Sequence, residues 1–117
     1  MTRNEAFRQR TQAAALRVIR LYQQLPRRGE AEVLGKQLLR SATSVAANYR
    51  ASCRARSASE YYAKLCICVE EADETQFWLE LIGQAGIFPK TRLSELEQEY
   101  AAITAVLTTA RKLAKKP

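Results

Sequence analysis

Four stretches of this chain repeat apolar residues at spacings of three and four, and only three short breaks separate them. That pattern confines the fold more than any other feature, because a 3.6-residue period puts each set of apolar side chains on one face of a helix. The first stripe is Phe7, Thr11, Ala14, Val18, Leu21/Tyr22 and Leu25, and it breaks at Leu25-Pro26-Arg27-Arg28-Gly29. Proline cannot continue the helical hydrogen-bond ladder, and glycine suits a turn. The second stripe is Leu34, Leu38, Ser41/Ala42, Val45, Tyr49 and Ser52, with Glu30 and Glu32 in the first turn, where the helix dipole favours anions. Ser57-x-x-Glu60 reads as a capping box opening a third helix whose core stripe is Tyr61, Leu65, Cys68, Ala72, Thr75, Leu79 and Ile82. Gly83 or Gly86 supplies its left-handed cap. Thr91 is the expected cap of a fourth helix carrying Leu93, Leu96, Tyr100, Ile103, Leu107, Ala110 and Leu113/Ala114, and ending in Arg111, Lys112, Lys115 and Lys116.

The expected helices span about 4–24, 30–55, 58–84 and 91–114 of a single domain, residues 1–117. Rods of about 30–37 Å joined by short connections pack as an all-α, antiparallel, up-down-up-down four-helix bundle. No segment alternates as a strand does. A chain of 117 residues buries about 65% of its unfolded surface, enough for a core without staples.

Within the second helix, Ser41 to Asn48 is small in side chain, so a neighbour can approach closely. Ser44 and Asn48 must then find internal hydrogen-bond partners, because each unpaired buried polar group costs about 1–3 kcal/mol. In an antiparallel hairpin turning near residue 57, Arg40 lies level with Glu74, and Asp73 or Glu71 is a turn away. A partly buried Arg40–carboxylate pair there fixes the helix register.

The third helix has more apolar surface than one bundle needs. Ile67, Phe77, Trp78 and Leu81 lie beside its core stripe, interrupted by Glu70, Glu71, Asp73 and Glu74. Such a face meets another subunit, with Trp78 as the anchor. The alternative packs Trp78 inside its own bundle against the fourth helix.

Chemistry is constrained by what the chain lacks. It has no histidine, so the common zinc and di-iron constellations are absent. Cys53, Cys66 and Cys68 lack metal-ligand spacing and read as small apolar fillers of a cytoplasmic protein. No apolar h-region follows Met1-Thr2-Arg3-Asn4, and no run approaches the ~20 residues that span a bilayer. No catalytic site, metal site or cofactor is expected, and the protein reads as non-enzymatic.

Charge points toward partners. The net is +7, but residues 1–60 carry twelve Lys/Arg against four acids, while residues 61–90 carry two against five. Arg8, Arg10, Arg17, Arg20, Arg27, Arg28, Arg50, Arg54 and Arg56 are the candidate contacts to RNA or DNA, through phosphates and without sequence readout. If these arginines instead disperse or enter subunit salt bridges, the chain is a scaffold with no nucleic-acid ligand.

The segment Leu34-Gly-Lys-Gln-Leu-Leu-Arg-Ser-Ala-Thr-Ser-Val-Ala-Ala-Asn-Tyr-Arg50, then Ser59-Glu-Tyr-Tyr and Glu70-Glu-Ala-Asp-Glu-Thr-Gln-Phe-Trp-Leu79, resembles the four helix bundle protein family. Its founding members are encoded in intervening sequences of bacterial 23S rRNA genes. The resemblance runs from about Phe7 to Leu113 and centres on Gln37, Arg40, Ser41, Ser44 and Asn48. It implies a four-helix protomer that assembles as a homo-oligomer, typically a pentameric ring. A related accessory protein of diversity-generating retroelements works with a reverse transcriptase, so a nucleic-acid enzyme is an implied partner. Many members carry a glutamate soon after the matched asparagine, where this chain has Ala51 and Ser52.

Overall fold

A computed structural model describes residues 1–114 as four α-helices: α1 (Arg3–Gln24), α2 (Gly29–Cys53), α3 (Ala58–Gln84) and α4 (Lys90–Ala114). Lys115 and Lys116 lie outside the described residues. Successive helices are neighbours, α4 closes the square against α1, and the diagonal pairs do not meet.

Every neighbouring pair is antiparallel, as its contacts show. The Tyr49 hydroxyl of α2 reaches Asn4, at the start of α1, while Gly35 lies against Tyr22 near its end. Cys68 of α3 packs by Val45 and Arg40 pairs with Glu74, so numbers fall on one helix as they rise on the other. Gln76 donates to Thr104 at 2.7 Å between α3 and α4, and Arg10 pairs with Glu99 between α1 and α4. The bundle is therefore up-down-up-down.

The core is the inward stripe of each helix: Val18, Leu38, Val45, Leu65, Leu79, Ile82, Leu93, Ile103 and Leu107 are fully buried. Phe7 meets Tyr49 edge-on, with ring centroids 4.8 Å apart, and seals one end. Small residues let α2 and α3 approach closely. At their contact the buried Thr75 hydroxyl donates to Ser41 Oγ at 2.9 Å, and Ser41 donates to the Leu38 carbonyl. Polar groups in a dry interface cost little when paired in this way.

Helix ends follow local chemistry. Thr2 accepts from the Glu5 amide while Glu5 accepts from the Thr2 amide, a reciprocal capping box that starts α1 one residue before the expected Asn4. Ser57 caps α3 by accepting from Glu60, whose carboxylate turns to the Arg56 amide rather than completing the box. At the other end of α3, Gly86 takes φ +73°. The Gly86 and Ile87 amides donate to the carbonyls of Gly83 and Ile82, the paired bonds of a Schellman ending. Gly83 serves packing instead, since a Cβ there would lie 3.2 Å from Lys90 Cγ and 3.3 Å from Leu93 Cδ1.

Two expected boundaries need correction. Helix α2 stops at Cys53 rather than near residue 55, and Arg54 leaves helical geometry with ψ 14°. Thr91 is not a cap but lies inside α4, which begins at Lys90 where the Pro89 carbonyl accepts from the Arg92 amide. Proline's fixed φ serves a helix start without any side-chain oxygen.

Candidate functional site

The arginines of α1 project to two sides of that helix. Arg8 and Arg17 are nine residues apart, which is about half a turn at roughly 100° per residue. Arg8 and Gln12 face α2, where Arg50 and, just past the helix end, Arg54 meet them in an open groove of about 210 Å³. The adjoining stretch of this groove, about 240 Å³, is floored by small side chains, Ala15, Thr43, Ala46 and Ala47. No carboxylate lines either part, and among the described residues Arg8, Arg50 and Arg54 enter no ion pair.

Arg17 and Arg20 face α4 and line a separate groove of about 190 Å³ with Phe88 and Arg92. The remaining candidates are elsewhere. Both Arg10 nitrogens Nε and Nη2 donate to Glu99 at 2.8 Å. That bond holds the Glu99 carboxyl below its ordinary range, with Arg10 and Arg17 charges adding to the effect and burial opposing it. Arg27 lies over the Tyr22 ring, 5.1 Å from its centroid, Arg28 precedes α2 as its N-terminal flank, and Arg56 pairs with Glu60 at 3.8 Å. The nine arginines therefore make no single continuous face. Three gather in the α1/α2 groove and two in the α1/α4 groove, joined there by Arg92, which the sequence pattern does not single out.

The outer side of the α2/α3 hairpin carries the other candidates. Arg40 donates to Glu71 at 3.0 Å and to Glu74, and its Nε donates to Gln37. Glu74 also accepts from Trp78 Nε1 at 2.9 Å. This cluster stands at the rim rather than in the interior, since the Arg40 side chain is 47% exposed. Asp73 is exposed and joins no ion pair among the described residues. Asn48 donates to the Ser44 hydroxyl and carbonyl, both at 3.0 Å, so these groups satisfy each other along one half-buried face of α2.

Trp78 is half-buried against the core, and its indole N–H donates to Glu74, which pairs with Arg40 on α2. The adjacent Phe77 ring is half-exposed and meets Trp78 edge-on at 4.9 Å. Ile67 is exposed at 38% and Leu81 is half-buried, while Val33 on α2 is exposed at 60%.

Of the cysteines, Cys68 is buried. Burial first of all pushes its thiol up to about 12, too high for a nucleophile at neutral pH. Cys53 and Cys66 are half-buried and free. Among the described residues no cluster of His, Cys, Asp or Glu could hold a metal ion, and no helix is long and apolar enough to cross a membrane.

Fold and surface together define a basic four-helix bundle with arginine-lined surface grooves. Residues 3–109 match the family model for the 23S rRNA-intervening sequence protein, and the chain belongs to that family. It is similar to a protein of unknown function from the S23 ribosomal protein family of Bacteroides thetaiotaomicron, whose crystal structure has 30% sequence identity to it. That likeness covers 91% of this chain and 98% of the other, with a TM-score of 0.84. No curated protein matches the chain.

Proposed function

We propose that this protein is a non-enzymatic, self-assembling helical module that holds a nucleic-acid backbone in the α1/α2 groove. The observation that carries the reading is the convergence of Arg8, Arg50 and Arg54 on a groove lined by no carboxylate. Unneutralised guanidinia over a floor of alanines offer phosphates close approach, and affinity gained by displacing counterions falls steeply with salt. No aromatic ring lines the groove, so contacts go to the backbone rather than to stacked bases.

Assembly runs through the outer α2/α3 face. Half-exposed Phe77, with Trp78 and Leu81 beside it, Val33 of α2 level with Leu81 and Ile67 further along α3, leaves an apolar surface flanking the Arg40 cluster. A second copy of the chain covers it, and a closed ring, the pentamer that the family resemblance implies, repeats the basic groove around its rim. Repetition multiplies a modest local field.

The test is fluorescence anisotropy with labelled single-stranded RNA and duplex DNA across a salt series. Replacing Arg8, Arg50 and Arg54 by alanine should flatten the log–log salt slope by about 2–3 units, close to one per lost phosphate contact. Absence of binding at low salt, or a triple variant that binds like the wild type, refutes the nucleic-acid role. In light scattering Phe77→Glu should reduce the molar mass of the assembly, and an unchanged mass refutes the interface.

A further inference from the structure

The groove between the end of α1 and the start of α4 is built differently from the α1/α2 groove. Its floor is the buried pair Leu21 and Leu96, and its walls are Arg17, Arg20, Gln24, Phe88 and Arg92. Arg92 lies over the Phe88 ring with its guanidinium carbon 4.7 Å from the centroid, and it donates through Nη2 to Gln24 Oε1 at 3.0 Å. It is fixed by an aromatic face and a neutral amide, so its orientation is set while its charge stays unneutralised. Arg10 and Arg40, by contrast, are held by carboxylates. Glu99, whose carboxyl feels the Arg17 charge, accepts from Arg10 through both oxygens. Among the described residues no carboxylate comes within ion-pair distance of Arg17, Arg20 or Arg92.

Charge at the helix start adds to this. The first turn of α4 holds Lys90 and Arg92 and no acid, so cations sit at the positive end of the helix dipole. An anion in the groove would offset that repulsion.

We propose that this groove is a nucleotide site, in which Arg17 and Arg20 take the phosphate and the planar Arg92, backed by Phe88, carries the base. A guanidinium stacked on a ring on one face offers its other face to a second flat group, and arginine forks match phosphate oxygens. The shared chemistry is a phosphate beside an unpaired base, which either a free mononucleotide or a single-stranded nucleic acid supplies.

The experiment titrates a fluorescent adenosine monophosphate and, separately, a labelled short single-stranded RNA into the wild type and three variants. These are Arg17→Ala/Arg20→Ala, Arg92→Lys and Arg8→Ala/Arg50→Ala, each checked for folding by circular dichroism. Arg17→Ala/Arg20→Ala should weaken binding about tenfold or more through loss of the charged forks. Arg92→Lys keeps the charge but loses the plane, and should weaken it about threefold. Phe88→Leu serves as the second variant should Arg92→Lys fold poorly, with the same expected direction. Arg8→Ala/Arg50→Ala should leave mononucleotide binding unchanged, which separates this site from the α1/α2 groove and its fate from that of the backbone-binding reading. Losses seen with RNA but not with the mononucleotide support the site and identify a strand as its ligand. Inorganic phosphate competing as well as the nucleotide, Arg92→Lys binding like the wild type, or neither probe sensing Arg17, Arg20 and Arg92 overturns the proposal.

Discussion

Tyr100→Phe should make this protein more stable, although Tyr100 is among its largest fully buried side chains. The ring packs in the core, but among the described residues its buried hydroxyl has no hydrogen-bond partner. A hydroxyl taken from water and left unpaired costs about 1–3 kcal/mol. Removing one oxygen leaves a void of roughly 10–15 Å³, worth about 0.3 kcal/mol at about 24 cal/mol per Å³. The net gain is therefore about 1 kcal/mol or more. For a domain of 117 residues that raises Tm by about 3–5 °C. Alkaline pH sharpens the contrast. Burial, aided by Glu99 and opposed by Arg17, raises the Tyr100 pKa above the ordinary 10.0. The neutral phenol's contribution is fully present below pH 10.0 and is lost as pH rises above it, because the unfolded chain ionises first. The phenylalanine variant lacks that loss, so its advantage should widen above pH 10. Urea denaturation at pH 7 and pH 10.5 measures both effects. A variant less stable by 1 kcal/mol or more at pH 7 would show that the hydroxyl has a partner in solution, and the argument from an orphaned donor would fail.

Arg40→Leu should cost about 1 kcal/mol, the scale of an accessible ion-pair network rather than a buried one, because the Arg40 side chain is 47% exposed. An unaltered melting temperature would show that Glu71 and Glu74 need no cation. Cys68 has a thiol raised from 9.0 to about 12 by burial, so its neutral form stabilises the fold below pH 9.0, and that contribution fades as pH rises toward 12. Between pH 9 and 10 its share of the slope is at most about 1.4 kcal/mol per pH unit, and Cys68→Ala should flatten the denaturation-derived profile by that share. An equal slope in both proteins would place the titration elsewhere. Gly86→Ala should destabilise by about 1 kcal/mol, despite open space around it, because φ +73° strains any side chain. A neutral result in thermal denaturation would contradict the left-handed ending of α3.

Long periodic stripes made the fold readable. Every core residue of α3 follows from the three-and-four spacing that starts at Leu65, and the breaks at Pro26 and Gly86 mark where helices cannot continue. Boundaries failed where two local signals competed. Thr91 has a capping side chain, yet Pro89 starts the turn earlier. Thr2 and Glu5 form a box that lies ahead of the first apolar residue and so escaped a reading anchored on the stripe. Trp78 shows a limit of one-dimensional patterns, since a wide apolar arc does not say which neighbour covers which edge. Only the Arg40–Glu74 contact assigns that edge to α2.

The grooves were less legible, because a count of arginines along the chain is not a charge on a surface. Arg8 and Arg50 are distant in sequence and adjacent in space, while Arg8 and Arg17 share a helix and face opposite ways. The half-turn between Arg8 and Arg17 is visible in their nine-residue separation, but which neighbour each side meets depends on the order of helices around the square. Arg92 was hidden further, since it lies in the nearly balanced last third of the chain. Its significance comes from what holds it, an aromatic ring and an amide in place of an acid. Among the described residues Arg10, Arg40 and Arg56 pair with carboxylates, whereas Arg92, like Arg27, lies over a ring, and it alone of those two is also held by an amide. The two grooves should therefore respond differently to a charge-preserving change. Arg→Lys in the α1/α2 groove retains most of a backbone contact, whereas Arg92→Lys removes a plane that charge cannot replace.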